Sequence, residues 1–106
     1  MGTIETAMAL IAGAGDSKSY SLEAISAARE GYIDKAWELL EKGKEAMVEA
    51  HDVQTDLLRK EMSRELNETS LLMIHAQDHL MNAMLVRQMA EEFILLYQDK
   101  YKESAQ

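Results

Sequence analysis

Between residues 69 and 101 the chain carries a helix-length segment whose first two-thirds is apolar on nearly every side, and this limits the available folds more than any other feature. On a helix, Met73, Leu80 and Met84 project to one side and Ile74, Met81 and Leu85 to another. A helix that is apolar all round is buried all round. The rest of a 106-residue chain supplies only two more helices, too few to surround it. The missing cover has to come from other copies of the chain, so a homo-oligomer is expected.

The other two helices follow from composition and punctuation. The chain has no Pro and five Gly, and it is rich in Ala, Leu, Met, Glu and Lys, which are helix formers. An all-α fold is expected, with one domain over residues 1–106 and helices at about 4–29, 33–60 and 69–101. Short connections favour an antiparallel up-down-up three-helix bundle. In the first helix the apolar positions include Ile4, Met8, Leu10, Ile11, Leu22, Ile25 and Ala28. Gly13-Ala14-Gly15-Asp16-Ser17 is its weak point, because each interior Gly costs about 1 kcal/mol relative to Ala. The preferred reading is that the small residues let a neighbouring backbone come close; the alternatives are a bend or a fresh start capped by Asp16. Gly31 ends the helix after a basic turn at Arg29. In the second helix Trp37, Leu40, Met47, Val48, His51 and Leu58 mark the expected inner side. Glu38, Glu41, Lys42, Lys44 and Glu45 mark the outer side, partly as i, i+4 pairs. Fraying is expected from Arg59 to Glu65, and Asn67, Thr69 and Ser70 are competent caps for the third helix.

Charge and missing residue types exclude several functions. A net charge of −8, with Lys and Arg scattered among acids, offers no basic face to a nucleic acid. The lack of Cys removes thiolate chemistry and cysteine-based zinc sites. No apolar run reaches the roughly 18 residues that a membrane crossing needs. No basic-then-apolar leader opens the chain, so a cytoplasmic protein is expected. There is no Gly-rich phosphate loop or dinucleotide fingerprint.

The chemistry concentrates in Met73-Ile74-His75-Ala76-Gln77-Asp78-His79-Leu80-Met81. His75, Asp78, His79 and Asn82 stand at i, i+3, i+4 and i+7 and share one helix face. They interrupt an apolar stripe that Leu71 and Leu72 continue on one side and Val86, Met89 and Phe93 on the other. Polar groups on a buried face are costly and need a reason. One reason is phosphoryl transfer through a histidine, since a neutral imidazole is a good nucleophile near neutral pH. Both His75 and His79 qualify. A second is a metal site on the i, i+4 histidines, with Asp78 or His51 as a third ligand. Position 76 is Ala, however, where zinc peptidases place a Glu. A third is structural: buried polar residues fix register or oligomer state in helical assemblies. That leaves a non-catalytic oligomeric scaffold or metal-binding bundle as the alternative. His51 by itself suits a hydrogen-bonded structural role, and the eight Met residues suit core filling.

The run Ile74-His75-Ala76-Gln77-Asp78-His79-Leu80-Met81, followed by Ala83-Met84-Leu85, resembles the signature of the lactose/cellobiose-type IIA component of the phosphoenolpyruvate-dependent sugar phosphotransferase system. Other segments agree in order: Leu10-Ile11-Ala12-Gly13, Glu23-Ala24, Ala27-Ala28, Glu30-Gly31, Ala36, Leu39, Glu49-Ala50-His51 and Gln54-Thr55. The resemblance spans about residues 4–101. Two departures stand out. Tyr32 follows Gly31 where relatives usually place an acid, with Asp34 two places on. The stretch from Lys60 to Glu68 lacks the Gly often found there, which predicts more helix.

The resemblance implies a trimer of three-helix protomers, a nine-helix bundle. It implies that His75 accepts the phosphoryl group on Nε2, from the phosphohistidine of the carrier protein HPr. The group then leaves to a cysteine of a IIB protein or domain while a sugar of the lactose, cellobiose or chitobiose kind is imported. It implies that Asp78 lies at the three-fold axis, where three copies surround a divalent cation, taken as Mg2+. His79, one turn from His75, is the expected supporting neighbour. Gln77 points away from the His75 side and could reach a neighbouring protomer's site.

Overall fold

The computed structural model describes residues 3–63 and 70–104. These form three helices, α1 (Thr3–Arg29), α2 (Ile33–Met62) and α3 (Leu71–Ser104), and no strand is present among the described residues. They form a rod with principal extents of 60 × 21 × 19 Å. Ala7, Leu10 and Ala14 of α1 pack with Met73, Ala76, Leu80 and Ala83 of α3. Further along, Ala24 and Ala28 pack with Ala90 and Ile94. The helices α1 and α3 therefore run parallel. The partners of these layers on α2 fall in reverse order, Met47 and Ala50 first and Ala36 and Leu40 last. The bundle is up-down-up. Among the described residues no helix is long and apolar enough to cross a membrane.

The sharp α1–α2 reversal is a C-terminal cap closed by Gly31. Gly31 has φ +91, a conformation that residues with a Cβ rarely adopt. Its N–H donates to the Ala28 carbonyl and that of Tyr32 to the Ala27 carbonyl, the paired bonds that satisfy the last helical acceptors. The Tyr101 ring lies 3.3 Å from where a Cβ on Gly31 would stand. Its hydroxyl donates to the Arg29 carbonyl, so the far end of α3 clamps this turn. Tyr32 occupies the position before α2 without a side-chain cap, and Asp34 supplies the favourable acid in the first turn. Towards the other end, α2 continues to Met62, two residues past the expected end, before Ser63 N–H closes on the Arg59 carbonyl. The expected fraying therefore does not begin at Arg59. Exposed Asp56 pairs with Lys60 at 3.2 Å and Arg59 at 3.7 Å along this turn, which favours the helix slightly. At the start of α3 the Ser70 hydroxyl accepts the Met73 N–H at 3.0 Å and caps the helix. The other expected caps, Asn67 and Thr69, lie outside the described residues.

α1 is continuous through Gly13–Ser17, with neither the bend nor the fresh start that were the alternatives there. Close approach, the reading preferred from the sequence, holds for Gly13. A Cβ on Gly13 would stand 3.3 Å from the Ala46 carbonyl, and one on Gly43 would stand 3.2 Å from the Ser17 carbonyl. Two glycines thus let α1 and α2 cross nearly backbone to backbone. Gly43 had no role in the sequence reading. Between the two apolar clusters lies a layer of Ser17, Ser21 and Gly43, with both hydroxyls buried and without a hydrogen-bond partner. Gly15 differs, since it faces open space. Gly15→Ala is expected to raise stability by about 1 kcal/mol through helix propensity. Thermal unfolding checks this, and a fall instead would mean that another chain presses on that face.

The inner faces are lined by smaller residues than expected. On α2 the buried positions are Ala36, Leu40, Gly43, Met47, Ala50 and Gln54. Val48, His51 and Leu58, expected inside, are exposed, and Trp37 is half-buried with its Nε1–H donating to Gln98. On α1, Ile4, Met8 and Leu22 are exposed as well. Alanines bring the helices together closely, and the larger side chains flanking them are left on the rim.

Candidate functional site

In α3 the buried side comprises Met73, Ala76, Leu80, Ala83, Ala90 and Ile94, which face α1 and α2. The polar cluster looks the other way. His75, Asp78, His79 and Asn82 are all exposed on the protomer, and Gln77 is half-buried beside the core side. Within one protomer this face is open, because the two neighbouring helices occupy only the opposite half of α3, which leaves it to be covered by the other copies that the sequence calls for. Around the cluster the open face is strongly apolar, with exposure of 83% at Leu71, 55% at Ile74, 51% at Met81 and 57% at Leu85. Leu71, Ile74, Asp78, Met81 and Leu85 alternate in steps of three and four, the seam spacing of helices that wind around each other. Asp78 stands in the middle of that seam. Asp78 belongs with Ile74, Met81 and Leu85 and not on a separate face from them, as the alternating spacing in the sequence already implies.

His75 and His79 meet directly. Their Nε2 atoms lie 3.0 Å apart, with one imidazole N–H donating to the other ring's nitrogen. The rings sit edge to face, centroids 4.5 Å apart. One helical turn sets this distance, since side chains at i and i+4 stack along the axis. Neither ring is buried, so both nitrogens are accessible to a reacting group. Asp78 forms no ion pair among the described residues. Within one protomer no three His, Asp or Glu side chains gather into a metal-binding group among the described residues.

His51 is not brought to the pair. It lines a hollow of about 300 Å³ between α2 and α3, with Lys44, Met47, Val48, Asp52, Met84 and Arg87. Met84 stands opposite His75 on the helical wheel, so the hollow and the histidine pair lie on different sides of α3. The His51 ring makes no hydrogen bond among the described residues, contrary to the structural role expected for it. Lys44 and Arg87, which line this hollow, were not recognised from the sequence. Their convergence depends on how α2 and α3 cross, which spacing within one helix does not encode.

Comparison with known proteins agrees with the resemblance drawn from the signature. Residues 5–98 match the family model of the lactose/cellobiose-specific IIA subunit of the phosphotransferase system. The lichenan-specific phosphotransferase enzyme IIA component of Bacillus subtilis (strain 168) is 46% identical over 84 residues, covering 79% of this chain and 76% of that protein. The lactose-specific EIIA component of Staphylococcus epidermidis is 42% identical over 88 residues, covering 83% of this chain and 85% of that one. Among solved structures, the cellobiose-specific enzyme IIA from Bacillus anthracis superposes with a TM-score of 0.88 at 43% identity, over 96% of this chain and 94% of that one. The IIA(Chitobiose) in complex with HPr from Escherichia coli superposes with a TM-score of 0.80 at 31% identity, over 95% of this chain and 99% of that one. The exposed histidine pair, the apolar seam and the up-down-up bundle thus occur together in a chain that belongs to the lactose/cellobiose-specific IIA family of the sugar phosphotransferase system.

Proposed function

We propose that this chain is a cytoplasmic phosphocarrier that accepts a phosphoryl group on Nε2 of His75 and passes it to a IIB cysteine during uptake of a lactose-, cellobiose- or chitobiose-type sugar. The observation that carries this reading is the exposed His75 imidazole, whose Nε2 faces Nε2 of His79 at 3.0 Å. An attacking nitrogen needs a free lone pair, so the reactive arrangement has the His79 N–H donating to His75. When the donor approaches, that N–H turns from the His75 nitrogen to an oxygen of the incoming phosphoryl group. One P–N bond forms at His75 as another breaks on the donor's histidine. In the onward step a P–S bond forms on the acceptor cysteine as the His75 P–N bond breaks. Such transfers depend mainly on alignment and on donors around the phosphoryl oxygens. The related IIA(Chitobiose) has been solved with HPr, which supports HPr as the donor here.

The open seam supports assembly into a trimer of nine helices, with Leu71, Ile74, Met81 and Leu85 covered by the same residues of two other copies. Half-buried Gln77 would stand near the boundary between protomers. Three Asp78 carboxylates would meet on the axis, and like charges so placed repel unless a cation or shared protons compensate. Asp78 fits a divalent cation such as Mg2+: it is an oxygen ligand, exposed, and without an ion-pair partner among the described residues. The ion would neutralise the axis and takes no part in the transfer. Asp78→Leu is therefore expected to keep the trimer and raise its melting temperature. Sedimentation and thermal unfolding check this, and dissociation of the variant would refute the axis assignment.

The test of the carrier reading is incubation with phosphoenolpyruvate, enzyme I and HPr, followed by intact mass. One acid-labile phosphoryl group per chain is expected. No gain in the presence of an active donor chain would leave a helical scaffold as the better description.

A further inference from the structure

We propose that His75 and His79 together form a chelating site for a transition-metal dication of the zinc class, separate from the hard-cation site proposed at Asp78. Imidazole nitrogens suit zinc, nickel and copper, whereas carboxylate oxygens suit magnesium. Two nitrogens bound at about 2.05 Å to one tetrahedral zinc stand about 3.4 Å apart. The two Nε2 atoms are 3.0 Å apart, so the pair reaches that bite by opening a few tenths of an ångström. The rings are already edge to face. The donating ring first shifts its proton from Nε2 to Nδ1 through water, and a small rotation about each side chain then turns both Nε2 lone pairs towards a common point outside the helix. Both rings are exposed, so an ion approaches without moving the backbone, and water completes its coordination. The ion also replaces the shared hydrogen bond with two coordinate bonds.

The location gives the site a consequence. The atom that binds the metal at position 75 is the same Nε2 proposed to accept the phosphoryl group. Metal and phosphoryl group cannot hold that lone pair at once, so a bound zinc ion silences the carrier and phosphorylation expels the ion. This consequence rests on the phosphocarrier reading, whereas the chelate itself does not.

The experiment is calorimetric titration of the whole, chelator-treated protein with Zn2+. One ion per chain is expected, with affinity lowered about tenfold or more in both His79→Ala and His75→Gln. His51→Ala should bind as the unmodified chain does. Equal affinity in His79→Ala, or an equal loss in His51→Ala, would overturn the site. In the unmodified protein, zinc should shift the NMR signals of two histidine rings together and leave the third in place, which requires no variant to fold. Uniform movement of all three rings would count against the proposal. The phosphorylated protein should bind Zn2+ about tenfold more weakly than the free form. Equal binding by the two forms would remove the competition. A chain that binds zinc yet never takes up a phosphoryl group would overturn the carrier reading and leave the chelate standing.

Discussion

His75→Gln is expected to abolish phosphoryl uptake, with no acid-labile phosphate detectable by intact mass and a transfer rate reduced by about a thousandfold or more. Glutamine keeps a polar group of similar reach but has no nucleophilic nitrogen. The side chain is exposed, and α3 is held by residues on its opposite side, so the helical content and assembly should not change. His79→Ala separates nucleophile from neighbour. It leaves the His75 lone pair in place and removes one donor to the phosphoryl oxygens, so transfer should slow by about a hundredfold rather than vanish. Residual phosphohistidine in His75→Gln would move the acceptor to another ring, and equal loss in both variants would mean that the pair acts as a unit. Rapid-quench transfer from phosphorylated HPr measures both.

Leu80→Ala is expected to cost about 3 kcal/mol of folding stability. Leu80 is fully buried and packs among Leu10, Met47, Ala76 and Ala83. Two of these four neighbours are alanines on rigid helices, which have little side chain with which to fill the void. Leu80→Met nearly conserves volume and should cost less than about 1.5 kcal/mol. Leu85→Ala provides the contrast. With 57% of Leu85 exposed in the protomer, its removal should act on assembly and leave the fold of the single chain unchanged. Thermal unfolding at two protein concentrations distinguishes the cases: a concentration-independent loss belongs to the core and a concentration-dependent one to the seam.

The helices were legible because nothing in the sequence competes with them. There is no Pro, the Gly31 stop follows a basic turn, and Ser70 is a capable cap. Which face of each helix is buried was less legible. Counting large apolar residues placed Leu40 and Met47 of α2 inside correctly but also Val48 and Leu58, whereas the rest of the contact is made by Ala36, Gly43, Ala50 and Gln54. Burial follows how closely two backbones approach, and small residues with little hydrophobic weight govern that distance. Asp78 is exposed on the single protomer and sits on the seam with Ile74, Met81 and Leu85, a grouping that follows from the three-four spacing and not from the width of the apolar stripe. For the site, the i, i+4 spacing brought His75 and His79 together from sequence alone, because one helix fixes their distance. The hollow formed by Lys44, His51 and Arg87 spans two helices, and no local spacing encodes it.

The layer of Ser17, Ser21 and Gly43 has a consequence for how the rod responds to load. Large apolar side chains are missing there, so the bundle is two packed halves in series rather than one continuous core. The first half carries the histidine pair, and the second is locked by Tyr101 over the α1–α2 turn. Local opening takes place in cooperative units, and a weakly coupled boundary confines it to one of them. A docking protein that strains the end bearing His75 draws on the stability of that end alone, while the clamped end holds the three helices in register for the return.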